Sequence, residues 1–90
     1  MENDYVRAVL SMFTDKIAES KRKIGDCINK DPSIAELQLF LREARNLRIT
    51  MQQFLRKLKI LSPIPFTQIK TLTKLLETNK KQTTFFYNRL

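Results

Sequence analysis

Between residues 34 and 61 two apolar series run side by side. Leu37, Ala44, Met51 and Leu58 recur every seven residues, and so do Phe40, Leu47, Phe54 and Leu61, with Leu41 and Leu55 beside them. Seven residues are two helical turns, so the spacing requires a helix and excludes a strand, whose side chains alternate every two residues. Two adjacent series also make a stripe too wide for the seam of a two-stranded coiled coil. It suits a bundle helix packed against two neighbours.

The rest of the chain supplies two such neighbours. In DYVRAVLSMFTDKIAESKRKIGDCIN, Val6, Val9, Leu10, Phe13, Ile17, Ile24, Cys27 and Ile28 wind onto one face at about 100° per residue. This predicts a first helix over about 4–29. Asp4 is its expected N-cap, and Glu2 suits the positive end of its dipole. Ser20 and Lys21 interrupt the stripe, and Gly25 costs a helix about 1 kcal/mol relative to Ala. NKDPS marks a boundary, with Asp31 as N-cap and Pro32 in the first turn, or Ser33 and Glu36 as a capping box one step later. The second helix is expected over about 32–61, ended by SPIPF, whose two prolines disfavour helix for the residues before them. A third follows over about 67–88, with Thr67 as N-cap, Phe66 as a hydrophobic staple and Ile69, Leu72 and Leu76 as its stripe. The expected fold is an all-α, three-helix up-down-up bundle with long antiparallel first and second helices, in a single domain covering residues 1–90.

The last helix raises a question about KKQTTFFYNRL. With Leu76 at zero and steps of about 100°, Tyr87, Leu90 and Phe86 fall near the apolar face and Phe85 falls opposite it. In the competing reading the weak helix formers of ETNKKQTT break the helix near 77–82 and the aromatics dock independently.

Charge divides the chain. Of 17 basic and 9 acidic residues, the first forty hold six and seven, and the remaining fifty hold eleven and two. Such asymmetry is the footprint of an anionic partner. Arg42, Arg45, Arg56 and Lys59 lie away from the apolar stripe of the second helix, with Arg48 and Lys57 at its borders, and the third helix adds Lys70, Lys74, Lys80 and Lys81. Guanidinium forks match carboxylates and phosphates through paired hydrogen bonds.

Other chemistry has little support. With no histidine, one glycine and scattered acids, the chain offers no catalytic residue, metal ligand set or cofactor loop. A single cysteine makes no internal disulfide, Cys27 reads as a core residue, and a reducing intracellular setting, cytoplasm or nucleus, is expected. No apolar run reaches the roughly 20 residues of a membrane span. A helix-turn-helix reading of the last 24 residues fails because Glu77, Thr78, Asn79, Lys80 and Lys81 provide neither the small turn residue nor an apolar anchor. Calmodulin-target and in-plane membrane helices are not expected, because both would need apolar residues that the core also needs.

The function expected is that of a non-enzymatic protein interaction or assembly module, whose basic second half docks an acidic protein or an oligomer mate. Phe85, Phe86, Arg45, Arg48, Arg56 and Lys59 are the expected partner contacts, and Arg42, Lys57, Lys70, Lys74, Lys80 and Lys81 the accessory anion-binding cations. Nucleic acid held on the basic face of the second and third helices is the alternative.

Overall fold

The computed structural model describes residues 3–90, so the dipole role expected of Glu2 lies outside the described residues. The chain forms three helices: α1, Asp4–Asn29; α2, Ile34–Lys59; and α3, Phe66–Asn88. Connections of four and six residues leave consecutive helices no arrangement but antiparallel, and the result is an up-down-up bundle. Its backbone envelope is a rod of 47 × 18 × 16 Å. α3 makes the most extensive contact with α2, and α1 and α2 touch least.

α2 starts on the capping box expected as an alternative to Asp31, whereas the caps of α1 and α3 differ from those expected. Asn3, not Asp4, caps α1 by accepting from the Val6 N–H at 3.1 Å. Ser33 caps α2 in a reciprocal capping box with Glu36, so residues 32 and 33 precede the helix and Asp31 is not its cap. The other end of α2 stops at Lys59, two residues short of the expected limit, with the prolines following. α3 starts on Pro65 with no side-chain cap, so Thr67 falls inside the helix. Phe66 is exposed and staples nothing.

The core follows the first seven-residue series. Leu37, Ala44, Met51 and Leu58 are all buried, with Leu41 and Leu47 beside them. Phe40, Phe54 and Leu55 are half-buried, and Leu61 lies in the exposed connection. Around this seam the apolar side chains gather in two groups. One joins Val6, Leu10, Phe13 and Ile17 of α1 to Leu47, Met51, Leu58 and Leu72. The other joins Cys27 to Leu37, Leu41, Ala44 and Phe86, with Ile24, Phe40 and Phe85 packed against it.

Between the two groups lies a layer of amides from α3. Asn79, fully buried, donates from Nδ2 to the Ala44 carbonyl of α2 at 3.0 Å, and Gln82 donates from Nε2 to the Ile17 carbonyl of α1 at 3.0 Å. Gln68 works similarly near the other end. Its Nε2 donates to the Asn3 carbonyl at 3.0 Å and its Oε1 accepts from the Asn3 N–H at 3.3 Å, tying the starts of α1 and α3 together. The gap in the α1 stripe after Ile17 coincides with this layer.

These bonds explain why α3 does not break at 77–82. The Asn79 and Gln82 nitrogens are taken by neighbouring helices and do not compete with the backbone of α3, while Asn79 Oδ1 and Gln82 Oε1 are buried without a hydrogen-bond partner among the described residues. The hydroxyls of Thr71, Thr73, Thr78, Thr83 and Thr84 each donate to the carbonyl four residues earlier, which satisfies the hydroxyl without strengthening the helix. Tertiary bonds override weak propensity here.

Gly25 sits within α1, and a Cβ added there would meet nothing within 4 Å. Gly25→Ala should therefore stabilise the bundle by up to about 1 kcal/mol, by restricting the unfolded chain and favouring helix. A rise of about 4–8 °C in thermal midpoint is the expected readout. A fall would mean the glycine is needed for the path of the last turns.

Candidate functional site

The aromatic end is sorted by the core direction of α3. With Leu72 at zero and steps of about 100°, Gln68, Asn79, Gln82 and Phe86 fall between about −80° and 0°, while Leu76 and Ile69 fall near 40° and 60°. The buried face is centred on amides, and the leucine and isoleucine mark only its border. Phe86 therefore points to the middle of the core and is 0% exposed, packed against Phe40 with ring centroids 5.7 Å apart. It cannot be a partner contact as expected, because no surface of it is free. Tyr87, expected in the core, falls near 60° and is 60% exposed, and Leu90 is exposed with it. Phe85 does not stand clear of the bundle. It is half-buried edge-on against Phe86, with the Arg89 guanidinium 4.7 Å from its ring centre. At the end of α1, Ile28 is exposed, whereas Cys27 is buried. Burial pushes the Cys27 thiol above its ordinary pKa, and the charge of Arg89 works in the opposite direction.

The cations separate by face. Arg45, Arg48, Arg56 and Lys59 follow one another at spacings of three, eight and three residues, so with Gln52 between them they lie within an arc of about 80° along α2. The stripe is about 21 Å long at 1.5 Å per residue. It borders α3. Arg45 and the half-buried Arg48 line an open cleft of about 550 Å³ with Thr83, Thr84 and Tyr87. Lys80, Thr84 and Tyr87 share one edge of α3 at spacings of four and three, which places Lys80 beside the same cleft. Arg42, Lys57, Lys70, Lys74 and Lys81 are exposed, but helical geometry turns them away from it.

The acids have gone elsewhere. Only Glu43 and Glu77 follow residue 40. Glu43 lies on the α1 side of α2 and accepts from Lys23 Nζ at 2.6 Å, with Glu19 3.5 Å from the same ammonium and the Phe40 ring centre 5.3 Å away. Burial disfavours the Lys23 charge, but the hydrogen bond and charge of Glu43, with help from Glu19, raise its pKa above the ordinary lysine value. Among the described residues, none of the four stripe cations nor Lys80 has a carboxylate oxygen within 4.0 Å. The α2–α3 face is thus a line of uncompensated positive charge with an exposed tyrosine at one end.

Tyr87 and Thr84 were not among the residues expected at a contact. Their signal is the four-and-three spacing from Lys80, visible once the core direction of α3 is known. No histidine, cysteine or carboxylate group of three or more gathers as a metal site among the described residues. No helix among them is long and apolar enough to cross a membrane. Comparison with protein-family models, with curated proteins and with solved structures finds no match.

Proposed function

We propose that this chain is a non-enzymatic interaction module that docks an acidic, helical segment of a protein partner along the α2–α3 face. The observation that carries the reading is the uncompensated stripe of Arg45, Arg48, Arg56 and Lys59 beside the Arg45, Arg48 and Tyr87 cleft. A cation every three to four residues, or every other such step, matches the period at which carboxylates recur on one side of a partner helix lying alongside. Arginine and tyrosine together are also the side chains enriched where protein interfaces concentrate their affinity. The setting proposed is the reducing interior of a cell, where Cys27 stays a thiol.

The test is fluorescence anisotropy of a labelled, Glu-rich helical peptide, and in parallel of single-stranded and duplex oligonucleotides, titrated with the purified chain at rising salt. The peptide should bind, and replacing Arg45→Glu and Arg56→Glu together should weaken it by more than about 100-fold, since hydrogen bonds to charged groups are worth about 1.5–3 kcal/mol each. The thermal midpoint should hardly move, because both side chains are exposed. If only the oligonucleotides bind, with a salt slope proportional to the phosphates contacted, the face serves nucleic acid and the proposal fails. Unchanged peptide binding by the double variant would also defeat it.

A further inference from the structure

The α2–α3 connection gathers exposed apolar side chains at one end of the rod. Ile60 is 83% exposed and Phe66 70%, with Leu61 and Ile64 also exposed between them, so four large apolar side chains stand in water within seven residues. None joins either core group. Contiguous exposed apolar surface of this kind marks a contact site.

Two further observations indicate what covers it. The first is charge. Lys57 and Lys59 precede this segment, Lys70 follows it by one helical turn, and all three are exposed, with no carboxylate oxygen within 4.0 Å among the described residues. Among the described residues, Asp4 at the start of α1 is paired with Arg7 at 2.6 Å. The second is size. The rod's backbone section is 18 × 16 Å, a narrow end beside the about 800 Å² of surface each partner gives to a standard protein interface. A flat, negatively charged apolar boundary needs no such area. Side chains that insert among lipid headgroups lose their water whatever the size of the tip, and a collar of lysines behind them meets the surface charge.

We infer that residues 60–66 insert into the interfacial region of an anionic lipid bilayer, with Lys57, Lys59 and Lys70 against the headgroups. This differs from a helix lying in the membrane plane, which the buried seam of α2 rules out: here the rod touches the surface by one end. The inference does not rest on the docking function of the α2–α3 face, and Arg45, Arg48 and Tyr87 stay clear of the connection that inserts.

The experiment is co-sedimentation of the full chain with phosphatidylcholine vesicles and with vesicles also containing phosphatidylserine. The chain should partition onto the anionic vesicles and far less onto the neutral ones. Replacing Ile60→Ser and Phe66→Ser together should lower partitioning at least about tenfold, leaving helical content, thermal midpoint and binding of the Glu-rich peptide unchanged. The inference is overturned if the chain ignores both vesicles, or if the serine variant partitions like the parent. It is likewise overturned if the parent sediments as a dimer that the serine variant converts to a monomer, since the tip would then be a protein contact.

Discussion

Asn79→Asp should unfold most of the protein's stability at neutral pH and return part of it on acidification. Asn79 is completely buried, and its Nδ2 donates to the Ala44 carbonyl. A carboxylate there loses the donor, points an anion at a carbonyl oxygen and leaves a charge in the interior without a partner. Breaking polar order in this way costs about 3–5 kcal/mol, against a total of about 5–15 kcal/mol for a typical domain. Burial raises the pKa of the new carboxyl in the folded state above its unfolded value of about 3.9. The folded state then binds more protons, so stability climbs as pH falls through the raised value and levels off below the unfolded one. Asn79→Leu, which buries no charge, should cost less and show no added pH dependence. Chemical denaturation of the three proteins at several pH values measures all of this. An aspartate variant as stable as the parent at neutral pH would place this side chain in solvent and remove the amide layer from the account.

The second large effect separates adjacent aromatics. Phe86→Ala should destabilise by about 3–5 kcal/mol, because its ring fills the second apolar group against Leu37, Leu41 and Phe40 and leaves a cavity when removed. For a domain of this length that is a fall of at least about 12 °C in thermal midpoint. Tyr87→Ala, one residue on, should change stability by no more than about 0.5 kcal/mol, because that ring is mostly in water, and should weaken the acidic peptide instead. Phe85→Ala belongs between the two. The reverse pattern, with Tyr87 critical for folding and Phe86 dispensable, would mean that the core side of α3 is misassigned.

This pair also shows where sequence reasoning succeeds and where it cannot. α2 is legible because its seam is made of apolar residues alone, so hydropathy and burial report the same face. In α3 they do not. Its inward line is Gln68, Leu72, the half-buried Leu75, Asn79, Gln82 and Phe86, at regular alternate spacings of four and three, but half of those positions are amides that a hydropathy pattern assigns to solvent. The leucines and isoleucine that remained visible, Ile69, Leu72 and Leu76, include two at the border of the face. Taking Leu76 as the reference swung the expected core by about 80° and carried Tyr87 inward. The polar run at 77–82 read as a break for the same reason: amides look like helix breakers until another helix takes their hydrogen bonds. Several capping side chains compete within one turn, so the cap of α1 was off by a residue at Asn3, and at α2 the sequence left Asp31 and the Ser33–Glu36 box open.

The candidate face was partly legible. The surplus of cations after residue 40 is visible in composition, but its lack of neutralisation depends on geometry. Glu43 is adjacent in sequence to Arg42 and close to Arg45, yet it turns toward α1 and pairs with Lys23 across the bundle. That single choice of face leaves the opposite side of α2 without an acid. The apolar tip had no periodicity by which to be found, and Phe66 reads as a staple until its exposure is known.

The fold and the proposed function meet in one physical statement: α3 uses polar bonds to hold the bundle in register, and the edge it shares with α2 is left cationic for a partner's acids. Amide-resolved NMR titration of the isotopically labelled chain with a Glu-rich helical peptide tests this most directly. The account expects saturable shifts at residues 45–59 of α2 and 80–87 of α3, with the outer face of α1 unmoved. Shifts centred on α1, or none at any residue of the α2–α3 edge, would contradict it.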